Sequence, residues 1–544
     1  MVLLIVLVAA FLVALAQRGR AAPSHAGVQA VHRALDSRLA PVVVGFLFAL
    51  AVWWTWGPGQ PLPDLHDEVA YVLQAKLFRA LRWTAPGPPM PEFFAQAHVL
   101  NDPLVASKYP PGHSLLLALG ELVGSPSFIV ILLGALRAGL AFTLARRVTN
   151  GAIALGTVVL MMHGQSLYFA ASFFSETTTG ALLLLAWYAL LRWRESGEHR
   201  ARWMVLLALS LGWCAITRPF SAALFSLPIA VVVLRDVWRS HRWRDLGLGI
   251  IAGTAVVAIL PLWSSRTTGD WRVWPVAVYT KDFMPFDRPH FGYDSTPPRK
   301  TPPPDLAFVN ASLDSVQRSH TVAELPNIAH DRWIFLAEQS WWHPLSEGTL
   351  ALVGLALAPP AALLAAATTV IVFVGYLAHP TWPNWTIYYM EIAPVLAFLT
   401  VCGLALVLRV LAKEPERAWD WQGAPRAAVA LCVAILFTIP MLRREVTFDR
   451  FQHANNAVYT RQFRDVVAAL PGPSVLFVRH ATFHEAHRSL VVNDPDFAAS
   501  NTWVAYDRGD SANAALMRRI PQRTAFLFDE AHRSINLYRP LASR

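Results

Sequence analysis

The sequence predicts a mainly α fold: a polytopic helical membrane bundle of about twelve helices, followed by a small C-terminal α/β domain outside the membrane. Three observations predict it. Of the 544 residues, 55% are hydrophobic and only 15% are charged, whereas a soluble domain carries about 25% charged residues. The apolar residues gather into runs long enough to span a bilayer, punctuated by arginine clusters. After Pro440 the composition turns soluble, with short β-type runs alternating with helical ones.

Taken in order, Met1–Ala16 is a short apolar run followed by Arg18, Arg20, Arg33 and Arg38. A secretory signal carries its charge first and a small-residue cleavage site after, so this run reads as a first helix with its N-terminus outside. Ala40–Trp56 returns outward and ends in Trp53, Trp54 and Trp56, an interfacial aromatic belt. The polar stretch Asp64–Ser114 then falls outside. Ser114–Val123 is too short to span and reads as a juxtamembrane or re-entrant helix. Phe128–Ala145, Ala152–Phe174, Thr177–Leu191, Met204–Thr217, Phe220–Leu234 and Leu246–Trp263 follow as alternating spans. Arg146-Arg147, Arg192 to Arg202 and Arg235 to Arg244 all fall on one side, as the positive-inside rule requires.

Ser264–Pro344 is a second external segment, whose prolines (Pro297-Pro298, Pro302-Pro303-Pro304) predict irregular backbone. Gly348–Ala358, Ala361–Leu377, Ile387–Val410 and Ala427–Ile439 complete the spans. Beyond them, helices are expected at Phe463–Leu470 and Ala512–Arg519, and strands at Ser474–Val478, Thr502–Tyr506 and Thr524–Phe528. The domains are therefore 1–38, an extra helix with a basic cytoplasmic loop; 39–441, the membrane domain with external loops 57–113 and 264–345; and 442–544, the soluble domain.

The net charge of +10 comes from basic residues beside apolar runs, with no compact basic domain, so no nucleic-acid partner is expected. Cys214, Cys402 and Cys432 lie inside apolar runs and read as small packing residues, not as disulfides or zinc ligands.

Chemistry-bearing residues concentrate in the first external loop. Asp67 and Glu68 are adjacent carboxylates beside a membrane face, an arrangement that raises one pKa or recruits a cation, and a general base needs such a group. The plainer alternative is a helix-capping acid. Tyr71 and Gln74 follow on the same helix; Tyr71 can orient a carboxylate or stack on a sugar, or be an ordinary interfacial tyrosine. Lys108 precedes Tyr109-Pro110-Pro111, whose prolines stiffen the approach to the next helix. It can hold a phosphate as a point charge or simply snorkel to headgroups. Glu176 opens a span, where a charge marks a site or complements the helix dipole. Arg218-Pro219 ends an outward span on the same face as Lys108. Tyr389 and Glu391 place an acid near the external end of an apolar helix. His480, His484 and His487 have a spacing that admits a divalent metal, but match no recognised metalloenzyme pattern; no cofactor or metal is assigned.

Asp67-Glu68…Tyr71…Ala75 with Lys108-Tyr109-Pro110-Pro111-Gly112 resembles the first-loop signature of C-type (GT-C) glycosyltransferases. The most similar group contains protein mannosyltransferases, aminoarabinose transferases and Rgt-type galacturonosyltransferases. Ser175-Glu176, Thr217-Arg218-Pro219 and Tyr388-Tyr389…Glu391…Pro394 look like later features of the same group, in order, between about Val43 and Gly403. The resemblance implies an inverting glycosyltransferase of a bacterial inner membrane that takes a sugar from a polyprenyl-phosphate donor to an extracytoplasmic acceptor. It implies Asp67 as base with Glu68 as alternative, Glu176 as second carboxylate, and Lys108 and Arg218 on the lipid phosphate. Tyr71, Tyr109, Tyr389 and Glu391 complete the substrate-binding set. The sequence departs from the pattern in having Asp-Glu where some relatives have one acid, and Glu176 where many have Asp. A transporter of lipid-linked glycan or a non-catalytic envelope-assembly protein is the alternative. A transporter predicts charges near mid-membrane and broken helices in paired halves; here the acids sit at helix ends.

Overall fold

A computed structural model describes residues 2–18, 26–57, 61–195, 197, 199–356, 358–414, 425–482, 484–485 and 487–539. The N-terminal part contains α1 (Val2–Ala16), α2 (Ala26–Asp36), α3 (Ala40–Trp56) and α4 (His66–Arg79). The first loop adds β1 (Ala85–Pro86), β2 (Val99–Leu100) and β3 (Leu104–Ser107), a small antiparallel sheet of order β1-β3-β2. Next come α5 (Gly112–Leu122), α6 (Pro126–Val148), α7 (Gly151–Leu160), α8 (Gln165–Ala170), α9 (Glu176–Glu195), α10 (Arg200–Ala215), α11 (Pro219–Ser240), α12 (Trp243–Val257) and α13 (Ile259–Thr268). The second loop carries α14 (Pro275–Phe283), α15 (Pro304–Ser319) and α16 (Leu325–Ser340). The bundle closes with α17 (Pro344–Ala356), α18 (Pro360–Tyr376), a 3-10 segment Thr386–Ile392, α19 (Ala393–Ala412) and α20 (Pro425–Ala469). The C-terminal domain is β4 (Ser474–Arg479), β5 (Thr502–Tyr506), α21 (Asp510–Arg519), β6 (Thr524–Asp529) and β7 (Ser534–Leu537).

Among the described residues, five helices are long and apolar enough to cross a membrane: α6, α11, α12 continued by α13, the 3-10 segment continued by α19, and α20. The bent pair α2–α3 passes the same test, and four shorter apolar helices pack with them. Small residues let these helices approach closely, the usual device where lipid supplies no hydrophobic drive. Gly354 of α17 and Gly403 of α19 face each other so tightly that a Cβ on Gly403 would lie 1.8 Å from the Leu350 carbonyl oxygen.

The basic ends meet at one end of the bundle. Arg147 pairs with Glu195 and Arg194 with Asp236, while Arg146 donates to the Leu35 and Ser37 carbonyls. Glu195 lies a full helix from Glu176, about 30 Å at the helical rise. The two long loops and the C-terminal domain pack together at the other end.

Several elements differ from expectation. Ala152–Phe174 is not one span. It breaks after Leu160, and Gly164, at positive φ, abuts the Gln339 carbonyl. The second loop is not irregular throughout. Its prolines Pro275, Pro304 and Pro326 sit in the first turns of α14, α15 and α16, where a missing N–H costs nothing and the fixed φ favours the helix. Finally, α20 runs through Pro440 and the composition change at 441–442 without a break, 45 residues in all, and Phe463 near its end enters the C-terminal core.

The C-terminal sheet has order β5-β4-β6-β7, with β4 parallel to β5 and β6, and β7 antiparallel to β6. The three strands expected from sequence are present; β7 was not foreseen. Phe93 and Phe94 of the first loop enter the core of this domain beside Val475, Phe477 and Trp503. Ion pairs Lys76–Asp494 (3.1 Å), Arg82–Asp496 (3.3 Å) and Arg488–Asp64 (3.0 Å) ring the junction.

Candidate active site

The start of α4 separates the two adjacent carboxylates. Glu68 is 4% exposed. Its Oε2 accepts the backbone N–H groups of Asp64 (2.9 Å) and Leu65 (3.0 Å), and its Oε1 accepts that of Phe173 (2.7 Å). It therefore caps α4, as an N3 glutamate does in a capping box, and ties that helix to the turn before α9. Burial raises its carboxyl to about 7, although the three N–H donors work against the shift. Asp67 points the other way, and its side chain is 39% exposed. Its Oδ1 accepts the Tyr109 hydroxyl, and its Oδ2 lies 3.8 Å from His98 Nε2.

A closed circuit of contacts continues from Asp67. Tyr109 stacks on Tyr71 with centroids 4.7 Å apart, and the Tyr71 hydroxyl meets Ser175 Oγ at 3.0 Å. Ser175 precedes Glu176, which holds the Arg218 guanidinium. Arg218 Nε also lies 3.3 Å from Glu391, Nη2 donates to the Tyr376 hydroxyl at 3.0 Å, and the guanidinium covers the Tyr388 ring. Tyr388 stacks on His379, His379 lies 4.0 Å from Asp287, and Asp287 pairs with Lys108 at 3.2 Å. Lys108 Nζ lies over the rings of Tyr109 and Tyr279, which closes the circuit.

Electrostatics inside it are strongly shaped by burial. Burial and the nearby Asp67 carboxylate push the Tyr109 hydroxyl well up. Burial, then Lys108, hold His98 well below its ordinary range. Burial works to raise the Asp287 carboxyl, but Lys108 and His379 outweigh it and hold it below the usual range.

Backbone geometry explains why the two motifs at Lys108 and Arg218 belong together. The Gly112 N–H donates to the Ile216 carbonyl at 2.7 Å, and a Cβ on Gly112 would lie 2.3 Å from Thr217 Oγ1. Only glycine lets the Lys108–Gly112 turn sit directly on the Ile216–Arg218 corner. Gln74 spaces the other side: Oε1 accepts the Ser107 N–H at 2.9 Å, and Nε2 donates to the Trp83 carbonyl.

Of the residues singled out in the sequence, Asp67, Tyr71, Lys108, Tyr109, Glu176, Arg218 and Glu391 come together. Glu68 lies beside them, but its oxygens are occupied by backbone. Tyr389 lies one ring behind them: it faces Arg332 (3.4 Å), packs on Phe373 and meets the Tyr376 ring edge-on, and its neighbour Tyr388 takes the place beside Arg218. The segment Thr386–Ile392 that carries the pair is wound as a 3-10 helix where an α-helical span was expected. Neither cation stands alone, since Lys108 has Asp287 and Arg218 has Glu176 and Glu391. His98, Asp287, Tyr376 and His379 were missed. All lie in loops or at a helix end, and no spacing links them to the first-loop motif.

Further along, His480 and His484 converge on Asp305 of α15 and on Glu530 after β6, and the His487 ring lies 6.3 Å from that of His66.

No protein-family model matches the chain, and no curated protein matches it. Solved structures do. ArnT from Cupriavidus metallidurans bound to undecaprenyl phosphate superposes with a TM-score of 0.50 at 14% identity, covering 90% of this chain and 93% of that one. The apo state of the same protein gives 0.50 at 16% identity, over 89% and 92%. The Archaeoglobus fulgidus oligosaccharyltransferase in complex with zinc and sulfate gives 0.45 at 13% identity, over 81% and 60%. The chain thus shares the fold of ArnT over nearly its whole length.

Proposed function

We propose that the protein is an integral-membrane, inverting glycosyltransferase that moves one sugar from a polyprenyl-phosphate donor to an extracytoplasmic acceptor. The observation that carries this reading is the circuit itself: a half-exposed carboxylate, Asp67, held by Tyr109 within a ring that also contains Lys108 and Arg218. ArnT, with the same fold, has been solved with undecaprenyl phosphate bound, and that ligand class suits two cations held at headgroup depth.

In this scheme Asp67 Oδ2 accepts the proton of the acceptor hydroxyl. The hydroxyl oxygen bonds to the anomeric carbon from the face opposite the leaving group. The bond from that carbon to the phosphate oxygen breaks, and its electron pair leaves with the polyprenyl phosphate. Negative charge grows on the phosphate, where Lys108 and Arg218 stabilise it. Their contacts in the structure use part of their donor capacity: a guanidinium has five N–H groups and an ammonium three. Asp287, Glu176 and Glu391 aim the cations, and a phosphate shares them. Tyr109 orients Asp67, and Glu68 holds α4 in place. The loops and the C-terminal domain lie on the extracytoplasmic face in this reading, with the arginine clusters inside.

The test is transfer by purified protein in nanodiscs, with a panel of radiolabelled polyprenyl-phosphate sugars and an envelope extract as acceptor. Asp67→Asn should lower transfer by about 10²–10⁴-fold, the range for losing a general base, with donor binding kept. Lys108→Ala and Arg218→Ala should weaken donor binding. Undiminished transfer by Asp67→Asn removes Asp67 from the chemistry. Labelled lipid crossing sealed vesicles with no sugar transferred replaces the reading by transport.

A further inference from the structure

We propose that Asp305, His480 and His484 bind a divalent transition metal of the zinc type, which clamps the C-terminal domain onto the loop helices beside the start of α4. The three residues come from distant parts of the chain: α15 in the second loop and the segment after β4. Their ligand atoms all lie within 4.8 Å of one another. His484 Nε2 is 3.0 Å and His480 Nε2 is 3.5 Å from the same oxygen, Asp305 Oδ1. Ligands about 2.0–2.1 Å from a tetrahedral zinc are spaced by about 3.3 Å, and these two separations bracket that value.

The supporting groups are those of a built site. Glu530 takes the other nitrogen of each ring, His484 Nδ1 at 2.8 Å and His480 Nδ1 at 3.1 Å. It is itself held by the Ala481 N–H (2.9 Å) and the Tyr459 hydroxyl (3.1 Å). One carboxylate thus sets the tautomer of both rings with Nε2 turned toward Asp305, the outer-shell arrangement of histidine metal ligands. Tyr506 donates to Asp305 Oδ2 at 3.2 Å, which leaves Oδ1 for the metal. Asp305 Oδ1, His480 Nε2 and His484 Nε2 are all buried with no well-aligned hydrogen bond, and Asp305 is 2% exposed. Buried polar atoms are otherwise satisfied. Three such atoms converging on one point are what a cation would satisfy.

Two imidazoles and one carboxylate select zinc or a similar borderline ion over calcium or magnesium, which prefer all-oxygen sets. His66 Nε2, buried and also without a hydrogen-bond partner, lies 4.0 Å from Asp305 Oδ2. His66 directly precedes Asp67, so the clamp reaches the start of the helix that carries the candidate base. The metal site stands on its own residues and does not depend on the transferase reading.

The experiment measures metal content of the full chain, purified in nanodiscs without chelators or a polyhistidine tag, by mass spectrometry. We expect one zinc per chain. His484→Ala and Asp305→Asn should each retain under a tenth of that, and Glu530→Gln should bind zinc some 10–100-fold more weakly. His532→Ala, an exposed histidine, should retain it in full. Protein stripped of metal and loaded with cobalt should show the visible bands of a tetrahedral centre, and hydrogen exchange in β4 and α15 should slow when metal is restored. These readouts on wild type hold even if a variant fails to fold. A wild-type chain that carries no metal and takes up neither equimolar zinc nor cobalt overturns the proposal. So does full metal retention by a folded Asp305→Asn, His484→Ala double variant.

Discussion

At the scale of single residues, two neighbouring acids with the same sequence claim to chemistry have different environments. Asp67 keeps an oxygen toward the open side of the circuit, whereas Glu68 gives both of its oxygens to backbone donors. Glu68→Gln replaces one accepting oxygen by an amide that meets N–H groups head on. It should destabilise the fold by about 1–3 kcal/mol, the cost of unsatisfied buried groups, read as a lower thermal midpoint, while Asp67→Asn leaves the midpoint unchanged. The same pair separates by pH. Burial lifts the Glu68 carboxyl in the folded chain to about 7, from 4.5 when exposed. A raised acid stabilises the fold below its unfolded pKa, and that contribution disappears as pH rises through the folded value. The stability difference between wild type and Glu68→Gln should therefore shift against wild type between pH 4.5 and about 7, in melts at a series of pH values. A difference that is flat across that window contradicts the assignment.

At the scale of elements, close helix approach and loop geometry position the site. The α17–α19 crossing leaves no room for a side chain at Gly403. Gly403→Ala forces backbone apart and should cost at least the 1–3 kcal/mol or so of ordinary overpacking. Gly247→Ala in α12, where a Cβ meets nothing within 4 Å, should be near neutral. Thermal melts of the two in one detergent make the comparison, and equal losses would show that the crossing is looser than described. The proline-rich second loop teaches a related lesson. Proline density predicts broken backbone only when the prolines fall inside elements. Here three of them open helices, and one of those helices carries Asp305 into the C-terminal domain.

At the scale of the whole molecule, the membrane bundle and the C-terminal domain form one body around the first loop. Phe93 is fully buried, and its ring lies 6.2 Å from that of Phe477 in β4. Phe93→Ala removes a ring from this shared core and should destabilise the junction by about 3–5 kcal/mol, seen as faster hydrogen exchange in β4 and β5 while exchange in α6 and α9 is unchanged. Uniformly unchanged exchange would mean that the domain holds itself without the loop. The circuit spans the same body, since its members come from α4, the turn before α5, α9, the start of α11, the loop after α14, the end of α18 with the turn after it, and the 3-10 segment.

Hydrophobic run length, arginine placement and the composition change after Pro440 were enough by themselves to determine a membrane bundle with a small α/β domain. These are local properties that every backbone segment must satisfy on its own in lipid. The motifs at Asp67, Lys108, Glu176 and Arg218 were legible for the same reason: each is a short run beside a helix end. Which carboxylate caps and which faces outward, which tyrosine of the pair at Tyr388-Tyr389 meets Arg218, and the meeting of Asp305 with His480 and His484 were decided only by tertiary structure. Those outcomes depend on contacts between segments up to hundreds of residues apart, and on the 3-10 winding of Thr386–Ile392, which no local pattern encodes.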